Sequence, residues 1–292
     1  MKILLLGATG QIGDAVQKLA HTEAWPKDWE LIAWTREAGD LSQPIELIRQ
    51  IEETKPDLIW NAAAYTQVDR AEAEPALAHL INGKTPGEIA HYCKQTNIPL
   101  VHYSTDYVYG GSGDEPHLET ETPNPLSEYG KSKLAGDVAI EASGCDYLIL
   151  RTSWVFSNHG KNFVKTMLRL ADEKRELRVV SDQVGSPSYA PDLAVYTLIA
   201  AQKALALKTE GKAFPSGIYH LCNSGSASWF EFAQAILPGY PVTPITTADY
   251  PTPAKRPMNS RLSLAKIEQT FGIRPRSWQE ALAEAKSTLT FE

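Results

Sequence analysis

Tyr129 and Lys133 stand four residues apart in Tyr129-Gly130-Lys131-Ser132-Lys133, and that spacing puts both side chains on one face of a helix. A phenol titrates near ~10 and is a poor acid or base at neutral pH, whereas an ammonium beside it stabilises the phenolate and lowers that value. Lys133 is also placed to bind a ribose. Earlier in the chain, Ser104-Thr105-Asp106-Tyr107-Val108-Tyr109 follows the apolar run Leu100–Tyr103. That order sets hydroxyls and a carboxylate at the end of a strand, where ligands of open α/β sheets bind. Thr105 could then hydrogen-bond a carbonyl oxygen under reduction, and Asp106 could orient a hydroxyl of the same molecule. The same cluster also suits a helix cap or a turn.

Near the N-terminus, Gly7-Ala8-Thr9-Gly10-Gln11-Ile12-Gly13 follows an apolar run and opens an amphipathic one. Glycines at that spacing let backbone N–H groups and a helix N-terminus approach a pyrophosphate, because no Cβ intrudes and the helix dipole favours negative charge. A plain glycine turn into a helix would read the same way. About 20 residues further on, an acidic side chain would hold the 2′-hydroxyl of NAD, but Trp34-Thr35-Arg36 offers none. Arg36 could accept a 2′-phosphate, which favours NADPH over NADH; Glu37 beside it weakens the argument, and a solvated loop charge is the alternative.

The elements that must position these residues show in the hydrophobic pattern. Apolar runs at Met1–Leu6, Glu30–Trp34, Asp57–Trp60, Leu100–Tyr103 and Tyr147–Leu150 alternate with helix-period segments at Gln11–Ala20, Pro44–Thr54, Pro75–Leu80 and Thr85–Gln95. Such alternation predicts an α/β fold, a doubly wound parallel sheet of Rossmann type with helices on both faces. After Arg151 the alternation weakens to helices at Phe163–Glu173, Asp192–Leu207 and Ser277–Leu289 and strands at Leu177–Val180 and Gly217–Leu221. The Pro-rich stretch Tyr240–Pro257 cannot form a long helix. A smaller C-terminal lobe for substrate is therefore expected. Residues 1–153 with about 188–223 would make the dinucleotide-binding domain, and about 154–187 with 224–292 the lobe.

Composition narrows the classes. Hydrophobic residues are 43% and charged residues 22% of the 292, ordinary for a globular protein. No run is long enough for a signal-peptide core or a membrane span, so a cytoplasmic location is expected. Cys93, Cys145 and Cys222 are too few and too scattered for a disulfide framework or a metal set, and the seven histidines form no ligand pattern; no metal is expected. A net charge of −7 with scattered Lys and Arg argues against nucleic acid and anionic membranes as partners, and means that an anionic substrate needs a local basic pocket.

Together, the wide glycine loop, the hydroxyl at Thr105 and the Tyr129/Lys133 pair resemble the extended short-chain dehydrogenase/reductase superfamily. Within it the chain resembles the dTDP-4-dehydrorhamnose reductases nearly end to end. The matching stretches are Asn61-Ala62-Ala63-Ala64-Tyr65-Thr66 with Val68-Asp69, His102-Tyr103-Ser104-Thr105-Asp106-Tyr107-Val108, Arg151-Thr152-Ser153-Trp154-Val155, Asn162-Phe163, Thr252-Pro253-Ala254, Arg256-Pro257 and Asn259-Ser260-Arg261-Leu262. The resemblance implies reduction of dTDP-4-dehydro-L-rhamnose to dTDP-L-rhamnose, the last step of that sugar's biosynthesis, by hydride from NADPH, with NADH as a second donor. It places Gly10, Gln11, Ile12, Ala64, Tyr65 and Thr66 along the cofactor, Asp40 and Leu41 beside its adenine, and Tyr129 and Lys133 at its nicotinamide, with Tyr129 the proton donor. Thr105, Asp106 and Trp154 would meet the dTDP-sugar. An aromatic at position 154 suits a sugar or base face, against the alternative of a core tryptophan. Arg256 and Arg261 could grip the diphosphate or be solvated charges. A monomer or homodimer is expected; some relatives dimerise through a magnesium ion, but Pro191 stands where one acidic ligand is needed. A nucleotide-sugar epimerase, another 4-keto sugar reductase, and a non-catalytic subunit like that regulating methionine adenosyltransferase share this fold and remain alternatives.

Overall fold

The computed structural model describes residues 1–288. Strands β1 (Lys2–Leu6), β2 (Glu30–Trp34), β3 (Leu58–Asn61), β4 (Leu100–Thr105) and β5 (Tyr147–Thr152) alternate with helices α1 (Gln11–Leu19), α2 (Pro44–Thr54), α3 (Val68–Ala71), α4 (Pro75–His79), α5 (Thr85–Thr96) and α6 (Glu128–Ser143). After them come β6 (Val155–Phe156), α7 (Phe163–Asp172), β7 (Leu177–Val180), β8 (Val184–Gly185), β9 (Ser188–Tyr189), α8 (Ala190–Thr209) and β10 (Gly217–His220). The chain then runs through β11 (Ala227–Ser228), α9 (Trp229–Ile236), β12 (Val242–Ile245), β13 (Asn259–Ser260), α10 (Ala265–Phe271) and α11 (Trp278–Thr288). Leu289, the expected last residue of that final helix, lies outside the described residues.

Six parallel strands in the order β10-β5-β4-β3-β1-β2 form the main sheet. Side chains alternate across it. Ile3 and Leu5 of β1 enter one core with Val16 of α1, Leu193 of α8 and Phe271 of α10, while Leu4 and Leu6 enter the other with Ile51 of α2, Ile89 of α5 and Ile140 of α6. A strand covered on both faces has no polar side to present, which is why its sequence reads as a continuous apolar run. The doubly wound parallel sheet expected from the pattern is thus present, with the order 2-1-3-4-5 reversing direction between β1 and β3 and leaving a crevice at their C-terminal ends.

A second body of packing gathers Phe156, Val164, Leu177, Tyr189, Phe232, Ile236, Trp278 and Leu282. Its sheets are small, β12 beside β7, β11-β8-β13, and β6 beside β9. Not all of the last 70 residues join it, because Ile267, Phe271 and Ile273 pack back against α8 in the core of the large sheet. All three cysteines are buried thiols. No described helix is long and apolar enough to cross a membrane, and no described group of His, Cys, Asp or Glu could hold a metal ion.

Candidate active site

A cleft of about 1010 Å³ opens at the C-terminal ends of β1, β3, β4 and β5 and is closed on its far side by Trp154 and Trp229. At its floor, Gly7 ends β1 with φ +85, and a Cβ there would meet the backbone nitrogen of Ala63 at 2.7 Å. Gly13 is tighter: a Cβ would fall 2.1 Å from the carbonyl oxygen of Gly7. The two glycines therefore let α1 sit directly on the β1 turn. No side chain caps the N-terminus of α1, whose first turn faces the cleft through Gly10, Gln11 and Ile12. Open N–H groups at a helix start, with no Cβ in the way, are a phosphate cradle, and the residues present fit a dinucleotide pyrophosphate.

Further along the same floor lie Arg36, Asp40 and Leu41. Arg36 is exposed, and its Nε is 3.3 Å from Asp40 Oδ2, so the guanidinium keeps free N–H groups toward the cleft. Ala64, Tyr65 and Thr66 line the wall after β3. Their loop is pinned by Asn82, whose side chain accepts from Tyr65 N at 2.8 Å and donates to Tyr65 O and Ser132 Oγ at 3.0 Å each. Asn82 sits in a π-helical turn, Leu80–Lys84, that fuses α4 to α5 where the sequence suggested a break. The basic lining that an anionic ligand needs comes from Arg36, Arg70 and Lys161.

The reacting groups converge at the ends of β4 and α6. Ser127 caps α6 by accepting from Gly130 N at 3.1 Å, which starts the helix one residue before Tyr129. Thr105 Oγ1 accepts from Tyr107 N at 3.2 Å and lies 3.0 Å from Asp106 Oδ1. Burial raises the Tyr129 phenol above its ordinary value, against the pull of the Thr105 hydroxyl beside it, so Tyr129 keeps its proton through neutral pH. Burial likewise pushes Asp106 up to about 6, with the hydroxyls of Ser260 and Thr105 drawing it back. Its Oδ2 has no partner among the described residues, and neither does Thr152 Oγ1 nearby.

Lys133 lies behind the cleft wall, 2% exposed, and its Nζ bonds to the carbonyl of Tyr103 at 2.6 Å and to His102 Nε2 at 3.1 Å. Among the described residues the expected direct pairing of Lys133 with Tyr129 is not made; the ammonium turns to β4, where the carbonyl of Tyr103 receives it. Trp154 has φ +48, an uncommon left-handed conformation for a bulky side chain. It is held by the bond from Ser188 N to its carbonyl and by Ser153 Oγ to Ser186 O at 2.7 Å. Its indole stacks on Trp229 at 3.6 Å and 10°. Trp229, which the sequence reading passed over, lines the cleft too. Arg256 and Arg261 lie outside the lining. Arg256 grips Asp69 of α3 through two bonds, 3.0 and 2.8 Å, and also bonds Thr252 Oγ1, while Arg261 Nη1 bonds Asn259 Oδ1 at 3.0 Å.

One more link joins the two bodies. Gln11 donates to Val155 O at 3.3 Å and accepts from Ser157 Oγ and Asn162 Nδ2 at 3.0 Å each, and His159 Nε2 lies 3.0 Å from the carbonyl of Thr9. Residues 157–162 thus form a strap across the glycine loop.

Comparison with known proteins gives this geometry a context. The family model of the RmlD substrate binding domain matches residues 1–291. The dTDP-4-dehydrorhamnose reductase of Burkholderia thailandensis is 41% identical, covering 97% of this chain and 97% of its own, and that of Escherichia coli K12 is 42% identical, covering 96% and 95%. A crystal structure of dTDP-4-dehydrorhamnose reductase from Bacillus anthracis, in complex with NADP, superposes with a TM-score of 0.87 at 33% identity over 98% of both chains.

Proposed function

The chain belongs to the RmlD substrate binding domain family, and we propose that it reduces dTDP-4-dehydro-L-rhamnose to dTDP-L-rhamnose, closing the synthesis of that activated sugar. The observation that carries this reading is identity of about 40%, end to end, with enzymes named for the reaction. The cofactor is NADPH, with NADH as a second donor. Gly7, Gly10, Gln11, Ile12 and Gly13 form the pyrophosphate cradle, Arg36 takes the 2′-phosphate, Asp40 and Leu41 flank the adenine, and Ala64, Tyr65 and Thr66 follow the rest of the molecule. When bound there, it supplies the hydride.

This chain's residues do the remainder. Thr105 turns its hydroxyl from Asp106 to the 4-keto oxygen and polarises it. Tyr129 Oη gives its proton to the oxygen as negative charge develops, general acid catalysis worth ~10²–10⁴-fold. Asp106 Oδ2, buried and without a partner among the described residues, accepts from a sugar hydroxyl, and the Trp154–Trp229 pair lining the cleft receives an apolar face of the substrate. Arg256 of the Pro-rich segment meets the diphosphate by exchanging Asp69 for a phosphate oxygen pair of similar geometry, with Arg261 from the stretch that follows as a second cation. Residues 1–153 with about 188–223 carry the cofactor, the remainder the sugar nucleotide. We place the protein in the cytoplasm, as a monomer or homodimer.

The test mixes the protein with NADPH and enzymatically made dTDP-4-dehydro-L-rhamnose, follows the loss of nicotinamide absorbance and identifies the product. Turnover to dTDP-L-rhamnose is expected. Oxidation of NADPH only with a different keto sugar rejects the assignment.

A further inference from the structure

Tyr107 lines the cleft from the short 3₁₀ turn, Asp106–Val108, that follows β4, and the chemistry above leaves it unused. Its backbone touches both reacting groups. The N–H donates to Thr105 Oγ1 at 3.2 Å. The carbonyl lies so close to Gly130 that a Cβ there would fall 2.3 Å from the oxygen, so the first turn of α6, which carries Tyr129, rests directly on Tyr107.

The side chain reaches the same target. The rings of Tyr107 and Tyr129 meet edge to face, with centroids 5.5 Å apart at 77°, an arrangement that sets the positive rim of one ring against the negative face of the other. Burial raises the Tyr107 phenol above its ordinary value, with Asp106 adding to the rise and Arg256 opposing it. Both phenols are therefore neutral through neutral pH, and the contact is one of rings rather than of charges. Tyr129 also packs against the cluster of Tyr65, Ala71 and Ala78.

A tyrosine ring turns about χ1 and χ2 unless its neighbours stop it. General acid catalysis needs Oη within ~2.6–3.2 Å of the oxygen that it protonates, so a ring free to swing spends part of its time out of reach. We propose that Tyr107 is a positioning residue for the proton donor: its ring, braced on Tyr129, aims the phenol at the keto oxygen that Thr105 polarises. Through its N–H and its ring, one residue then fixes the two groups that must meet at one atom. The proposal rests on the reductase reading of the cleft.

Variants separate the ring from the hydroxyl and from the fold. Tyr107→Phe keeps the aromatic edge, and its kcat should stay within a few-fold of wild type. Tyr107→Leu loses the edge, and kcat should fall by about 10-fold or more while the Kd for NADPH stays within a few-fold. In a Tyr129→Phe background, where no proton is left to aim, Tyr107→Leu should cost little further. An equal loss in both backgrounds would assign the effect to substrate contact or to the fold and overturns the proposal. A leucine variant as fast as wild type does the same, and so does a phenylalanine variant as slow as the leucine one.

The free full-length protein adds a reading without turnover. With ¹³C-labelled tyrosine, the Tyr129 ring should flip faster in Tyr107→Leu than in wild type or Tyr107→Phe, and equal flip rates overturn the proposal. Failure of the wild type to reduce the sugar nucleotide would instead remove the reductase reading, and the flip rates would still decide whether Tyr107 braces Tyr129.

Discussion

At Tyr129 the phenol's proton and its ring have separable duties, since burial holds the hydroxyl protonated and Thr105 sits beside it. Tyr129→Phe should lower kcat by ~10²–10⁴-fold with little change in NADPH affinity, read from steady-state rates beside fluorescence titrations; activity within a few-fold of wild type would remove Tyr129 as the acid. Asp106 titrates at about 6, so it is a carboxylate above that pH and a neutral acid below. The KM for the sugar nucleotide should rise as pH falls through this value, whereas Asp106→Asn should show a raised KM without the inflection. Identical profiles would place Asp106 outside the substrate contacts. Thr105 and Tyr129, which the short stretches around them singled out, both line the cleft, whereas Lys133, expected beside the phenol from the same spacing, turns to β4 instead. The partners of Lys133 were not legible, since His102 stands 31 residues earlier and is brought near only by the packing of β4 on α6. Arg256 was visible as a cation, but its engagement with Asp69 spans 187 residues and depends on how the Pro-rich segment folds back on α3.

Helix α6 is bound to the sheet by more than apolar contact. Arg151 and Asp137 are 1% and 0% exposed and paired at 3.1 and 3.0 Å, and Tyr109 receives a further bond from Arg151 Nη1 at 2.8 Å. Arg151→Met leaves the carboxylate buried without its cation and should cost about 3–5 kcal/mol, measured by urea unfolding. The loss should shrink in acid, where protonation discharges Asp137. Adding Asp137→Leu should recover much of it, and a double variant no more stable than the single one would show that packing rather than charge was lost. The strands of the large sheet were legible because burial on both faces makes each an uninterrupted apolar run. Two-residue strands such as β6, β8 and β13 were not, because a distant partner rather than any local pattern makes them strands. The π turn at Leu80–Lys84 fell between the expected helical segments Pro75–Leu80 and Thr85–Gln95, and its Asn82 and Gly83 are poor helix formers; the bonds of Asn82 to Tyr65 and Ser132 hold the turn in place.

Taken whole, the molecule is two packed bodies facing each other over the cleft, joined by the Arg256–Asp69 pair, by the strap over the glycine loop and by the chain crossings near β6 and β9. The parallel-sheet body was foreseeable from alternation along the chain. The smaller body was expected from segments on both sides of α8, but the expectation also gave it α10, which packs into the larger core through Ile267 and Phe271. The stacked indoles of Trp154 and Trp229 both fall in the segments expected to form the smaller lobe, one following β5 and the other opening α9. Two indoles 3.6 Å apart and nearly parallel share their electronic excitation, so the pair should give a split near-ultraviolet circular dichroism band that Trp229→Phe abolishes. Binding a sugar nucleotide against the pair should change the amplitude of that band in the wild type and leave the variant's spectrum in the same region nearly unaltered. The protein therefore carries its own optical gauge of the aromatic wall of its cleft, readable without a label and without turnover.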